Sequence, residues 1–167
     1  MREYLGRLDP ARHRERTFLG FQLGEFQRLS GDASAARASY RQARVDGAAV
    51  LAEQPGNADI LNREALISVR LGDMAAAMDY SRRAMQTVPA GGDALSLAAA
   101  KYTLARLQAA SGSPDSALET LRDLLAAPTL GNSQFDPLPT QATLRLNPEW
   151  DGLRQNPRFQ ALLADRP

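Results

Sequence analysis

The sequence predicts an all-α fold in which helical pairs stack on one another. Three observations carry this expectation. First, one stretch is written three times at a period near 40, from Gly31 to Gly72 to Gly112, and a fixed period of this size marks a repeat array. In each copy a small residue (Gly24, Ala65, Ala105) stands seven places before the turn glycine, and an alanine (Ala36, Ala77, Ala117) stands five places after it. Second, the stretches flanking each glycine carry apolar residues at helical spacing, as in Ile60, Leu61, Ala65, Leu66, Val69 and Leu71. Third, β-branched runs are few, so a sheet is not expected.

The elements follow in order. Residues 1–9, through Tyr4, Leu5 and Leu8, predict a short helix ended by Asp9-Pro10. It reads either as the close of a preceding unit in a longer protein or as a polar N-terminal cap, which repeat arrays need. Arg12, His13, Arg14 and Arg16 make residues 11–16 basic. That stretch is expected to be a solvated linker or helix start, with a small anion patch as the functional alternative. The first unit, 17–54, has Phe18, Phe21 and Phe26 on its first helix, where aromatics at helical spacing are expected in the core. Its second helix, 33–54, is slightly weakened by Gly47. Residues 55–57 then turn the chain, with Asn57 a good cap.

The second unit, 58–89, places a helix over 58–71, stopped by Gly72, because glycine takes the left-handed conformation without a Cβ penalty. Asp73 caps the next helix, which ends near Thr87, before Pro89. Residues 88–92 break the chain, and Asp93 caps the third unit, 94–127. There Ser113-Pro114 supplies a cap followed by proline at the first helical position. Residues 128–139 read as a loop. A helical cap over 140–164 follows: Asn147 and Asn156 each precede a proline and start short helices, while Trp150, Leu153, Phe159, Leu162 and Leu163 are expected to fold back over the third pair. Trp150 suits a half-buried cap, with ligand stacking as the alternative.

The small residues have a packing reason. They let a neighbouring helix approach closely, and larger residues such as Tyr40, Met78 and Leu121 fill the space between units. One helical pair cannot bury its apolar face alone, so the pairs stack.

The repeated pattern resembles the tetratricopeptide repeat (TPR) over roughly residues 17–128. Leu23-Gly24, Gly31-Asp32, Ala36, Tyr40 and Ala43 carry the likeness in the first copy; Ala65, Gly72-Asp73, Ala77, Ala84 and Pro89 carry it in the second. The third departs at Ser113 and Leu124, with Pro128 one place early, and the units exceed the family's usual 34 residues. The segment 144–163, with its Asn-Pro, Trp-Asp, Leu-Arg and Asn-Pro-Arg-Phe pairs, resembles the closing segment of a group of bacterial TPR proteins. The resemblance implies a right-handed superhelix of three TPR-like hairpins with a C-terminal cap. It also implies the regulatory or scaffolding part of a bacterial signalling protein, behind a serine/threonine kinase, nucleotide cyclase or winged-helix regulator.

Bulk numbers bound the rest. The 167 residues are read as one domain. The 20 basic and 19 acidic side chains leave a net charge of +1, too little to attract nucleic acid or an anionic membrane. With no cysteine and one histidine, disulfides and metal-ligand spacing are absent, and no cofactor motif is present: Gly91-Gly92 lacks a following lysine. No apolar run nears 18 residues. A cytoplasmic place is expected, or an extracytoplasmic one if a longer chain spans a membrane before this domain. The oligomeric state is left open.

No catalytic set is expected. His13, read as solvent-exposed, has no nucleophile partner set by a motif, and Glu149 and Asp151 suggest no paired-carboxylate chemistry. The expected function is therefore non-catalytic recognition of a protein or peptide, in cis or in trans. The rivals are a small-ligand or peptide-signal sensor, a structural dimerisation module and an enzyme. In such a stack the first helix of each pair lines the concave binding surface. Leu19, Leu23, Leu61, Ala65 and Leu104 are expected to be spent on their own partner helices. That leaves Phe21, Glu25 and Arg28, then Asn62, Leu66, Val69 and Arg70, then Tyr102, Arg106 and Ala109 as the peptide-binding set. Their arginines suit a peptide with a carboxylate and an apolar side chain.

Overall fold

Leucines chosen by periodicity alone do not all end in the core. The computed structural model of the chain, which describes residues 10–88, 94–126 and 138–164, shows why. All regular elements among those residues are helices, in agreement with the all-α expectation. They are α1 Pro10–Leu29, α2 Ala33–Glu53, α3 Ala58–Leu71, α4 Met74–Thr87, α5 Ala94–Ala110, α6 Pro114–Ala126, α7 Gln141–Leu146, a 3-10 helix Pro148–Leu153 and α8 Pro157–Ala164. The chain divides into two compact units, Met1–Thr87 and Val88–Pro167. The expected helix over 1–9, the Pro89 stop, the Gly91-Gly92 break with its Asp93 cap, Pro128 and most of the loop over 128–139 lie outside the described residues.

The glycine turns form for the reason expected. Gly31, Gly72 and Gly112 take φ of 86°, 85° and 79°, the left-handed region that costs glycine nothing. The next residue in each, Asp32, Asp73 and Ser113, donates its backbone N–H to the carbonyl of Gln27, Ser68 and Gln108, closing the helix end. The Asp32 and Asp73 carboxylates then accept from Ala35 N and Ala76 N and start the following helices. Asn57 does the same for α3 through Ile60 N.

In the first unit α1 packs on α2, both touch α3, and α3 packs on α4. Small residues set the approach. A Cβ on Gly24 would lie 2.4 Å from Tyr40 Cε1, so the glycine makes room for the Tyr40 ring. A Cβ on Gly20 would lie 3.1 Å from Ala43 Cβ. The buried side of α1 is therefore the one that carries Thr17, Phe21 and Gly24. Leu19 (54% exposed), Leu23 (50%) and Phe26 (69%) face away, which corrects the expectation that the two leucines are spent on the partner helix and that Phe26 is core. Periodicity marks two apolar stripes on α1; close approach through glycine selects the one with the smaller residues. Met78 likewise stays exposed, while Tyr40 and Leu121 fill space as expected.

In the second unit Tyr102, Ala105, Leu118, Leu121, Leu144, Trp150, Leu153, Phe159, Leu162 and Leu163 form one cluster, so the C-terminal segment closes over α5 and α6 as expected. Trp150 is not half-buried but fully buried, stacked between Tyr102 (6.2 Å) and Phe159 (6.4 Å). That placement removes it from ligand stacking. Asn147 and Asn156 accept from Glu149 N and Arg158 N and start the last two helices. Thr140 and Thr143 add a capping box to α7.

Candidate functional site

The site residues of the first unit gather around one carboxylate. α1 carries Glu25 and Arg28 one turn apart, and α3 brings Arg70 to the same place. Arg70 donates through Nε to Glu25 Oε1 (2.6 Å) and through Nη2 to Oε2 (2.9 Å), a two-pronged grip. Arg28 Nη2 donates to Oε2 at 3.0 Å, and the Tyr40 hydroxyl of α2 donates to Oε1 at 2.5 Å. Partial burial alone would raise the Glu25 pKa, but the two guanidinium groups and the phenol bring it down to about 2. Its own burial, and then the hydrogen bond to Glu25, push the Tyr40 phenol well above its ordinary range.

Around this cluster, Phe21, Asn62 and Leu66 are buried, while Val69, Arg28 and Arg70 are half-buried. Phe21 lies against the Tyr40 ring at 6.0 Å and beneath the Arg63 guanidinium at 4.9 Å. Asn62 Oδ1 is buried and has no hydrogen-bond partner. Phe21 and Leu66 are thus interior side chains that do not project from the face.

The second unit carries a smaller set. Arg106 donates to Glu149 Oε1 at 2.7 Å and lies 5.8 Å over the Tyr102 ring. Both charged side chains are 12% exposed, Ala109 is half-buried and Tyr102 is in the core cluster. Asn147 Nδ2 adds a longer bond, 3.3 Å, to Glu149 Oε2. Each arginine in the expected set therefore already holds a carboxylate of this chain.

Several functional groups escape the sequence reading. His13 is not solvent-exposed: its Nδ1 lies 2.7 Å from Asp46 Oδ1 and its side chain is 13% exposed. The basic stretch is the first turns of α1, which lie against α2 and α3, and Arg14 pairs with Asp59 there. Asp46 gives no local signal for this role, because its partner is 33 residues away. Glu64, in α3, is fully buried and neither carboxyl oxygen has a hydrogen-bond partner. Arg44 Nε stands 4.0 Å away, and Arg44 Nη2 instead donates to Ser68 Oγ at 3.0 Å. Burial raises the Glu64 pKa to about 8, only partly offset by the Arg44 charge. Among the described residues no group of three or more His, Cys, Asp or Glu side chains is gathered as a metal ion would require, and no helix is long and apolar enough to cross a membrane.

Compared with known proteins, the chain matches no family model, no curated protein and no solved structure.

Proposed function

We propose that the chain is a non-catalytic module that binds a protein or peptide, built as three TPR-like hairpins in a right-handed superhelix and serving a bacterial signalling protein as its regulatory or scaffolding part. The fold half of this reading rests on the three glycine turns with matching φ and matching closing bonds. The binding half rests on one observation: Arg28 and Arg70, half-buried on the first helices of successive pairs, converge on a single carboxylate over an aromatic floor. Guanidinium groups arranged to grip one carboxylate can grip another, and Phe21 and Leu66 supply apolar support beneath. The ligand class that follows is a peptide carrying a carboxylate next to an apolar side chain.

The test is a selection of linear peptides from a random display library on the full chain, run beside a thermal-shift screen against metabolites. Enrichment of peptides with an acidic group beside an apolar residue supports the module. Stabilisation by metabolites with no peptide enriched replaces it with a small-ligand sensor.

A further inference from the structure

α1 carries a second face that the peptide site does not use. Leu19, Leu23 and Phe26 are exposed, and they follow one another at spacings of four and three residues. Arg12 and Arg16 continue the same spacing toward the N-terminus and Ser30 toward the C-terminus. Alternating steps of three and four are the seam of a helix that packs lengthwise against another helix.

The first unit itself shows what such positions meet when covered. Counted back from the turn glycines, Leu19, Leu23 and Phe26 occupy the places that Ile60, Glu64 and Ile67 hold in α3. Those three are 3%, 0% and 0% exposed. α2 lies over that side of α3, close enough for Gly47 to touch Glu64. The seam on α1 is therefore a helix-covering register left open, with larger apolar side chains than its covered counterpart has at two of three places.

Its charge pattern selects the occupant. Arg12 and Arg16, both exposed, stand at one end of the seam. At the other end, just beyond the last turn of α1, stands the exposed carboxylate of Asp32. A face that is cationic at one end and anionic at the other is complementary to itself when turned end for end. We infer that this face pairs with α1 of a second copy of the chain, antiparallel about a two-fold axis near Leu23, with Leu19 against the partner's Phe26 and Arg16 beside the end of the partner's helix. An isologous contact of this kind closes on itself and stops at a dimer. Three large apolar side chains per copy make a small interface, so the dimer is reversible.

Sedimentation velocity of the full chain from micromolar to millimolar concentration tests this. The expected result is a rise in mass toward the dimer at the upper end. Leu23→Glu and Phe26→Glu should each abolish the rise without changing the melting temperature, because both side chains are exposed. The chain contains no cysteine, so single replacements report orientation. A mixture of Leu19→Cys and Phe26→Cys chains should form disulfide-linked dimers faster than either variant alone. A monomer at every concentration, a dimer untouched by Leu23→Glu, or faster linking of Leu19→Cys with itself would each overturn the inference.

Discussion

Glu25 and Glu64 sit in the same compact unit and answer burial in opposite ways. Glu25 is half-buried and held by Arg28, Arg70 and Tyr40, and its pKa falls to about 2. Glu64 is fully buried, neither oxygen is hydrogen-bonded, the Arg44 guanidinium comes no nearer than 4.0 Å, and its pKa rises to about 8. Burial pushes both upward, and only the number of donors decides which direction wins. A carboxylate that several cations hold marks a face able to hold a carboxylate. A carboxyl that nothing holds is a stability cost carried inside the helix packing.

The largest expected effect breaks the Glu64 side of this comparison. A Cβ on Gly47 would lie 2.0 Å from Glu64 Oε1 and 3.3 Å from Thr17 Cγ2, so a side chain there forces the buried Glu64 carboxyl or α2 to shift. Gly47→Ala should destabilise by about 1–3 kcal/mol, the scale of an overpacked interior. Adding Glu64→Ala should recover much of that loss in urea unfolding. A single Gly47→Ala variant as stable as the parent would mean that α2 and α3 lie farther apart than described.

The two carboxyls also predict opposite limbs of a stability–pH curve. Glu64 binds its proton more tightly in the folded chain, so its contribution is full below about 4.5 and is lost as pH rises toward about 8. Glu25 holds its proton less tightly in the folded chain, so its contribution is full above about 4.5 and is lost as pH falls toward about 2. Melting temperature should therefore fall as pH rises from about 4.5 to about 8 in a way that Glu64→Gln flattens, and fall as pH drops from about 4.5 to about 2 in a way that Glu25→Gln flattens. If the two variants give parallel curves, the contrast between the residues is not electrostatic.

A smaller effect isolates the phenol. Tyr40→Phe removes one donor to Glu25 and keeps the ring that fills the space beside Gly24. It should cost about 1.5 kcal/mol, the low end of the range for hydrogen bonds to charged groups, and raise the Glu25 pKa measured by carboxyl NMR. An unmoved Glu25 resonance on titration would leave the arginines as its whole support. Gly112→Ala serves as the control, since its turn lies between two serines in the compact unit that holds neither carboxyl: left-handed strain should cost about 1 kcal/mol at every pH.

Local chemistry made most of the fold legible. A glycine followed by Asp or Ser, an asparagine before a helix, and proline at a helix start each act within a few residues, and α2, α3, α4 and α6 begin and end within a residue or two of where those signals put them. Orientation was less legible. α1 has apolar residues on two sides, and its buried side was decided by what Tyr40 and Ala43 of another helix could approach, through Gly24 and Gly20. Spacing alone presents the peptide-site set as available helix positions, yet Phe21, Asn62, Leu66 and Tyr102 are buried and every arginine in it has a carboxylate. Partners 45 and 43 residues away, as for Arg70 with Glu25 and Arg106 with Glu149, leave no trace in spacing along the chain. Glu64 was invisible for the same reason: nothing near it in sequence says that α2 will close over it.

The binding claim is tested most directly by the affinity of a library-selected acidic peptide for the parent chain and for the double variant Arg28→Gln, Arg70→Gln, which removes both guanidinium groups on Glu25. A loss of at least about tenfold is expected, because each charged hydrogen bond removed is worth about 1.5–3 kcal/mol, with the circular dichroism spectrum unchanged. Equal affinity in the two proteins would contradict it and move the peptide site off the arginine face.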